Sequence, residues 1–233
     1  MKNSALVLFS GGQDSTICLA WALKKYDYVE TIGFKYNQRH SIELNLRPKI
    51  LNSIVSLNND WGKKLGLDHL VETSFLGEIF ETSLTRNIDI SFNKKLPNTF
   101  IPGRNLIFFS IAAAFAYKKN IHTLVGGMCS TDFSGYPDCR KDPIMKLEES
   151  LNLGMEFKLK IETPLMYLTK NDSLTLAEKI AGKSFIKLII KDTHTCYLGD
   201  RNFLHNWGYG CNNCPACHQR RDGFKKYFEN KNN

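Results

Sequence analysis

The sequence predicts an α/β fold: an open, mainly parallel sheet flanked by helices, carrying a cysteine-rich appendage at its C-terminal end. Three observations support this. Short apolar runs alternate with longer helical stretches, the order that builds strand-helix-strand crossovers. The first run, Ala5 to Phe9, is too short for a helix and opens into the turn Ser10-Gly11-Gly12-Gln13-Asp14-Ser15 ahead of an apolar helix. Three cysteines crowd into residues 211–217, with Cys196 upstream, in a tail separable from the main α/β unit. The expected division is an α/β domain over residues 1–190 and an appendage over 191–233 packed on it.

Taken in order, Ala5 to Phe9 reads as a buried strand, and Thr16 to Leu23 as the helix that follows, with Asp14 or Ser15 as its N-cap. Val29 to Tyr36 alternates and is rich in strand formers, which closes one crossover unit. A helix with Ile42, Leu46, Ile50, Ile54 and Leu57 on one face comes next, and Pro48 should kink or restart it. Asp68 to Thr73 is the third strand, and Ser74 to Thr99, of mixed polarity and no strong period, reads as a lid or insertion. An apolar helix spans Leu106 to Tyr117. Ile121 to Val125 is the fourth strand, Pro143 to Asn152 a helix, and Phe157 to Thr163 the fifth strand, ended by Pro164. Thr169 and Asp172 form a capping-box pattern for a last helix running through Ala181 and stopped by Gly182.

The first turn has the make-up of a phosphate site. Glycines let the backbone turn sharply and bring N–H groups close to an anion, Ser10 and Ser15 add hydroxyls, and the helix start adds a positive dipole end. Gly12 is the position expected to need a positive φ. Neither a Gly-x-x-x-x-Gly-Lys-Ser/Thr loop nor a Gly-x-Gly-x-x-Gly fingerprint occurs, so Walker-type and dinucleotide-binding folds are not supported. Gly103, Arg104 and Asn105 stand at another helix N-terminus, where Arg104 either grips a phosphate or pairs with a surface carboxylate. Arg39 and His40 lie just beyond a strand end, as ligand groups or as helix caps. The loop from Gly126 to Arg140 brings carboxylates, aromatics, hydroxyls and an Arg together, the kit for stacking a flat heterocycle and reading its edge.

With 233 residues, 42% of them hydrophobic, the chain can bury a sizeable core. No apolar run long enough to span a bilayer appears, nor a signal segment ahead of the first strand, so the expected location is cytoplasmic, with no membrane association. A net charge of +8 is compatible with an anionic substrate or nucleic acid, but the excess is largely scattered lysine, so direct nucleic-acid binding is not expected. Cys211, Cys214 and Cys217 with Cys196 supply four thiolates, enough for a closed tetrahedral zinc site of the structural kind. The same spacing also suits an iron-sulfur cluster, and His194, His205 or His218 could replace Cys196. Cys18 is most simply a core residue.

The loop Ser10 to Ser15 resembles the pyrophosphatase loop of enzymes that split ATP between its α and β phosphates. Read together with Tyr36 to His40, Pro97 to Phe108, Gly126 to Arg140, Thr163 to Lys170 and His194 to Asp200 ahead of Gly210 to Arg220, the chain resembles the 7-cyano-7-deazaguanine synthase family nearly end to end. The resemblance implies a five-stranded parallel sheet of the adenine nucleotide alpha-hydrolase type, a homodimer, and structural zinc on Cys196, Cys211, Cys214 and Cys217. It implies a ligase that joins 7-carboxy-7-deazaguanine with ammonia, using ATP with Mg²⁺, to make a nitrile precursor of queuosine through an acyl adenylate and an adenylated amide. Carried onto this chain, ATP binding falls on Leu8, Phe9, Ser10, Gly11, Gly12 and Gln13, continuing through Asp14, Ser15, Thr16, Ile17 and Cys18. Ser10, Asp14, Ser15 and Arg104 would be catalytic. The substrate would be held by Arg39, His40, Asp132, Ser134, Tyr136, Asp138 and Arg140. Where the family commonly has Asp-Tyr-Gly-Gln-Arg-His, this chain has Lys35-Tyr36-Asn37-Gln38-Arg39-His40, which puts position 35 and the local backbone in question. Competing readings are a tRNA-thiolating adenylase with an iron-sulfur cluster and a non-catalytic nucleotide-binding protein.

Overall fold

The computed structural model of the chain describes residues 3–93, 96–130 and 135–232. Five parallel strands form the sheet: β1 (Ser4–Leu8), β2 (Tyr28–Lys35), β3 (Leu65–Glu72), β6 (Thr123–Val125) and β7 (Lys160–Glu162), in the spatial order β3-β2-β1-β6-β7. Between them run α1 (Gln13–Lys25), α2 (Ile42–Leu57), α3 (Asn59–Lys64), α4 (Phe75–Ile79), the hairpin β4 (Phe92–Asn93) and β5 (Leu96–Pro97), α5 (Arg104–Lys119) and α6 (Lys141–Met155). The chain ends with α7 (Lys170–Asp192), the hairpin β8 (Leu204–His205) and β9 (Gly208–Tyr209), and α8 (Pro215–Asn232).

The central strand shows why its sequence is a continuous apolar run. Ala5, Val7 and Phe9 face the cluster built with α1, α2, α7 and α8, whereas Leu6 and Leu8 face the cluster built with α5 and α6. Both faces are covered, so alternation vanishes. The strand that follows β1 pairs on one side of it and β6 pairs on the other, so the crossovers leave in opposite directions. That reversal opens a crevice at the carboxyl ends of β1 and β6, where open α/β sheets take ligands.

Several boundaries differ from the sequence expectation. Helix α1 begins at Gln13 with Gly12 as N-cap and no side-chain cap; the Ser15 hydroxyl donates back to the Gly12 carbonyl and accepts from the Ser10 amide, outside the helix. The positive φ falls on Gly11 (+93°), not on Gly12, whose φ is −80°. The fifth strand is only Lys160–Glu162, since the sheet edge gives it one partner, β6. Helix α2 carries Pro48 in its interior without restarting. The capping box on Thr169 and Asp172 forms, and Gly182 interrupts the helix with φ 76°, but the chain resumes helical form up to Asp192 because Phe185, Ile186, Leu188 and Ile189 bury there. The insertion after β3 contains α4 and a small hairpin rather than irregular chain alone.

The tail is continuous with the main core: Cys196, Trp207, Cys214, Cys217, Phe224 and Tyr227 belong to the same buried cluster as β1 and α1. Among the described residues, no helix is long and apolar enough to cross a membrane.

Candidate active site

A cleft of about 340 Å³ opens over the carboxyl ends of β1 and β6. Its floor is the turn after β1. Gly11 lets the turn close: a Cβ there would lie 2.3 Å from the Glu43 carbonyl oxygen. The Gly12 amide donates to Ser10 Oγ at 3.1 Å, the Ser10 amide to Ser15 Oγ at 3.2 Å, and the two hydroxyls are 3.1 Å apart. The Gly12 amide is therefore used inside the turn. The N–H groups of Gln13, Asp14 and Ser15, in the first turn of α1, have no acceptor among the described residues. Three unpaired amides at a helix start form an anion cradle. Gly127, after β6, presses on the same turn, with a Cβ there 3.2 Å from the Ser15 nitrogen.

Cations surround the cradle. Lys170, at the start of α7, donates to Asp14 Oδ2 at 2.7 Å, while the buried Asp14 Oδ1 has no partner among the described residues. Arg104 enters from the first turn of α5, 3.4 Å from the Tyr36 hydroxyl, and makes no ion pair among the described residues. Burial works against its charge, but Tyr36, Tyr136, Cys139 and Asp138 around it outweigh that and raise its pKa. Arg104 is thus a fixed cation rather than half of a surface ion pair. Arg220, fully buried on α8, donates to the Trp207 and Ile189 carbonyls at 2.8 and 2.7 Å; burial lowers its pKa to about 10, so it stays charged.

Of the residues expected from sequence, Leu8, Phe9, Ser10, Gly12, Gln13, Asp14, Ser15, Arg39, His40, Arg104 and Tyr136 line the cleft. Thr16, Ile17 and Cys18 point into the core behind it. The Arg39 guanidinium is tied to the Ile88 carbonyl and the Asn87 side chain, which fastens the insertion to the cleft rim. His40 packs edge-on against His194 at 5.5 Å, and burial lowers its pKa. Tyr136 is buried, its hydroxyl against Thr99 and its ring tilted on Phe100. Two expected ligands lie elsewhere. Asp138 accepts the Asn105 amide at 2.9 Å and so caps α5, and Arg140 is exposed, with its guanidinium beside the Gly135 carbonyl. Asp132 and Ser134 lie outside the described residues. Lys35 pairs with Glu72 at 3.0 Å, and Asn37 adopts φ 55°, the left-handed region asparagine tolerates best after glycine, so the departures leave the turn intact.

Sequence reasoning missed Glu43, Lys170, Gln219 and Arg220, which the fold brings to the cleft from distant positions. Lys170, inside the predicted capping box, and Gln219 and Arg220, at the end of the cysteine motif, carried some local signal; Glu43 carried none.

In the tail, the four sulfurs of Cys196, Cys211, Cys214 and Cys217 lie within 4.8 Å of one another, with Cys211 to Cys217 at 3.8 Å and Cys196 to Cys214 at 4.0 Å. The amides of Asn213 and Cys214 donate to Cys211 Sγ. Hydrogen bonds from Cys214 and Cys217 hold the Cys196 thiol far below its usual range. No histidine joins this group among the described residues: His205 bonds the Gly210 carbonyl and stacks on Trp207, and His218 is exposed. The cluster can hold a metal ion.

The profile described as "Queuosine biosynthesis protein QueC" matches residues 4–228. The chain belongs to that family. A protein of Herminiimonas arsenicoxydans named 7-cyano-7-deazaguanine synthase is 54% identical over 227 residues, 97% of each chain. Another so named, from Janthinobacterium sp. (strain Marseille), is 53% identical over 226 residues, 97% of this chain and 96% of its own. Among solved structures, a 4-thiouridine synthetase in complex with RNA and bound ATP superimposes with TM-score 0.53 at 18% identity, covering 79% of this chain and 42% of its own. That likeness is one of fold.

Proposed function

We propose that this QueC-family chain is a 7-cyano-7-deazaguanine synthase: it adenylates 7-carboxy-7-deazaguanine with ATP, lets ammonia displace AMP to give the amide, and adenylates the amide oxygen in a second round that ends in the nitrile. One observation carries the reading at the level of chemistry: the amides of Gln13, Asp14 and Ser15, without acceptors among the described residues, share a cleft with the cation Arg104, which makes no ion pair among them. When AMP is transferred to a carboxylate, negative charge grows on the departing pyrophosphate. Donors fixed in advance at that place stabilise the transition state more than the ground-state triphosphate. Lys170 adds a point charge beside them. Tyr136, Arg39 and His40, which line the same cleft, are the residues we assign to holding the base. No covalent nucleophile is needed, because the adenylate itself is the activated species.

The carboxylate of Asp14, whose buried Oδ1 has no partner among the described residues, suits a hard cation, and Mg²⁺ bound with the phosphates would neutralise their charge there. Zinc is the metal we assign to the tail. A tetrahedron with zinc–sulfur distances of about 2.3 Å has sulfur–sulfur edges of about 3.8 Å, which the cluster already approaches. A cluster in which each thiolate bound a different iron would hold the sulfurs farther apart. The closed set of four leaves no open position for chemistry. We further propose a cytoplasmic homodimer that binds no nucleic acid, to be checked by sedimentation and by titration with tRNA.

The test of the whole reading is to mix the purified protein with ATP, Mg²⁺, ammonium and the carboxy-deazaguanine and identify products by mass spectrometry. The expected products are the nitrile, two AMP and two pyrophosphate per turnover. ATP consumption that yields no nitrile would refute it.

A further inference from the structure

Two carboxylates line the cleft among the described residues, and the scheme above uses only Asp14. The other, Glu43, stands in the first turn of α2, over the phosphate turn. Its Oε2 is 3.4 Å from where a Gly12 Cβ would be, and its own carbonyl packs against Gly11. It makes no ion pair among the described residues, whereas Asp14 is held by Lys170. The groups facing it are Ser10 and Asp14 from the turn and α1, Arg104 from α5 and Arg220 from α8. Burial raises its pKa to about 7; the Ser10 hydroxyl, Arg104 and Arg220 pull the other way and Asp14 adds to the rise. A carboxyl that changes charge near neutral pH, lining the cleft beside the phosphate turn and making no ion pair among the described residues, has the position and the basicity of a general base.

We propose that Glu43 is the proton acceptor in both nitrogen steps, an assignment that rests on the synthase reading. In the first, the ammonia lone pair forms the C–N bond, the bond from the acyl carbon to the phosphate oxygen breaks with its electrons going to AMP, and Glu43 takes one proton from nitrogen. Amide, AMP and a protonated Glu43 result. In the second round the O-adenylated amide bears two protons on nitrogen. One passes to water as the neutral imidate forms. Glu43 takes the other as that electron pair completes the C≡N bond and the C–O bond breaks, releasing AMP. After each round Glu43 returns its proton to water. Asp14 is unsuited to this task because its Oδ2 is already engaged, accepting from Lys170 at 2.7 Å.

The test uses Glu43→Gln, which keeps the side-chain volume, in single-turnover experiments on the full chain. Pyrophosphate release from ATP and the carboxy-deazaguanine without ammonia reads adenylation alone. Ammonium chloride is then added to read amide formation, and synthetic amide is supplied to read nitrile formation. Glu43→Gln is expected to release pyrophosphate within about threefold of wild type while amide and nitrile formation fall about 10²–10³-fold. At fixed free ammonia, wild-type amide formation is expected to fall as pH drops below about 7, and the variant to lack that limb. Equal losses in pyrophosphate release and amide formation would place Glu43 with the phosphates and overturn the assignment, as would unchanged amide formation. A wild-type chain that releases no pyrophosphate with the carboxy-deazaguanine would instead refute the synthase reading, and this proposal with it.

Discussion

Replacing Gly11 with Ala is the sharpest test of how the phosphate turn is built. Gly11 sits at φ +93°, beyond even the left-handed well, and a non-glycine residue held there costs about 1–3 kcal/mol. The added Cβ would also lie 2.3 Å from the Glu43 carbonyl oxygen, backbone that moves only if the first turn of α2 moves. Together these amount to about 2–4 kcal/mol, and in a chain of this size each kcal/mol lowers Tm by about 2–4 °C, so a drop of about 4–16 °C is expected. The neighbouring position behaves differently. Gly12 has an ordinary φ of −80°, and a Cβ there meets Ser10 Oγ at 3.2 Å and Glu43 Oε2 and the His194 carbonyl at 3.4 Å, contacts that small shifts relieve. Gly12→Ala is expected to melt close to wild type, since the tight fit offsets the about 0.4–1 kcal/mol gained from a stiffer unfolded chain. Its methyl nevertheless enters the cleft, and pyrophosphate release is expected to fall at least tenfold. Thermal melts and a pyrophosphate assay on the two variants decide the matter. If Gly11→Ala melted within a degree of wild type, or Gly12→Ala were the less stable of the two, the account of the turn would be wrong.

Three further outcomes follow from the same geometry. Cys214→Ser, or a strong chelator, is expected to release one zinc per chain and lower Tm, with elemental analysis as the readout; iron with labile sulfide in place of zinc would refute the assignment. Tyr136→Ala is expected to raise KM for the carboxy-deazaguanine at least tenfold and that for ATP by less than threefold; equal rises would move Tyr136 to the nucleotide side. Glu43→Gln is expected to stabilise the fold above neutral pH. The folded chain holds the Glu43 proton up to about pH 7 whereas the unfolded chain loses it near 4.5, so wild-type stability declines as pH rises through that interval. The decline is bounded by about 3 kcal/mol, at about 1.4 kcal/mol per pH unit, so urea melts of the two proteins should coincide at pH 4 and separate at pH 8.

What could be read in advance was whatever local sequence controls. The turn from Ser10 to Ser15, the buried strand before it, the capping box on Thr169 and the cysteine spacing are each set by residues within a few positions of one another. The stop at Gly182 was also legible, but not that the helix would resume: that depends on Phe185 and Ile189 finding a surface, made in part by Trp61, to bury against. The cleft was legible in part: the first turn, Arg39, His40, Arg104 and Tyr136 could be picked out locally and do line it, whereas the groups that distant elements bring could not. Lys170 meets Asp14 across 156 positions. Glu43 turns toward the loop because Gly11 lacks a side chain, and neither fact shows in a window of sequence. Asp138 shows a second, structural task that no window of sequence displays. A carboxylate in a polar loop looks like a ligand, yet its oxygen satisfies an α5 amide that would otherwise be unpaired.

Arg220 shows why the tail belongs to the cleft and is more than a weight attached behind it. A fully buried guanidinium with no carboxylate partner among the described residues would ordinarily be costly. It is tolerated because its donors reach the Trp207 and Ile189 carbonyls and the Thr195 hydroxyl, so that it also closes the C-terminal turn of α7, where a cation is favoured. Those acceptors are held in turn by the cysteine knuckle. Trp207 precedes Cys211, Thr195 precedes Cys196, and Cys217 lies one helical turn before Arg220 on α8. Gly208 must lack a side chain for the same reason, since a Cβ there would lie 2.5 Å from Arg220 Nη2. A metal that fixes four sulfurs therefore also fixes the first turn of α8, and with it the wall of the cleft made by Ala216, Gln219 and Arg220. The positive charge facing the phosphate turn is in place before any anion arrives, which is what electrostatic preorganisation requires.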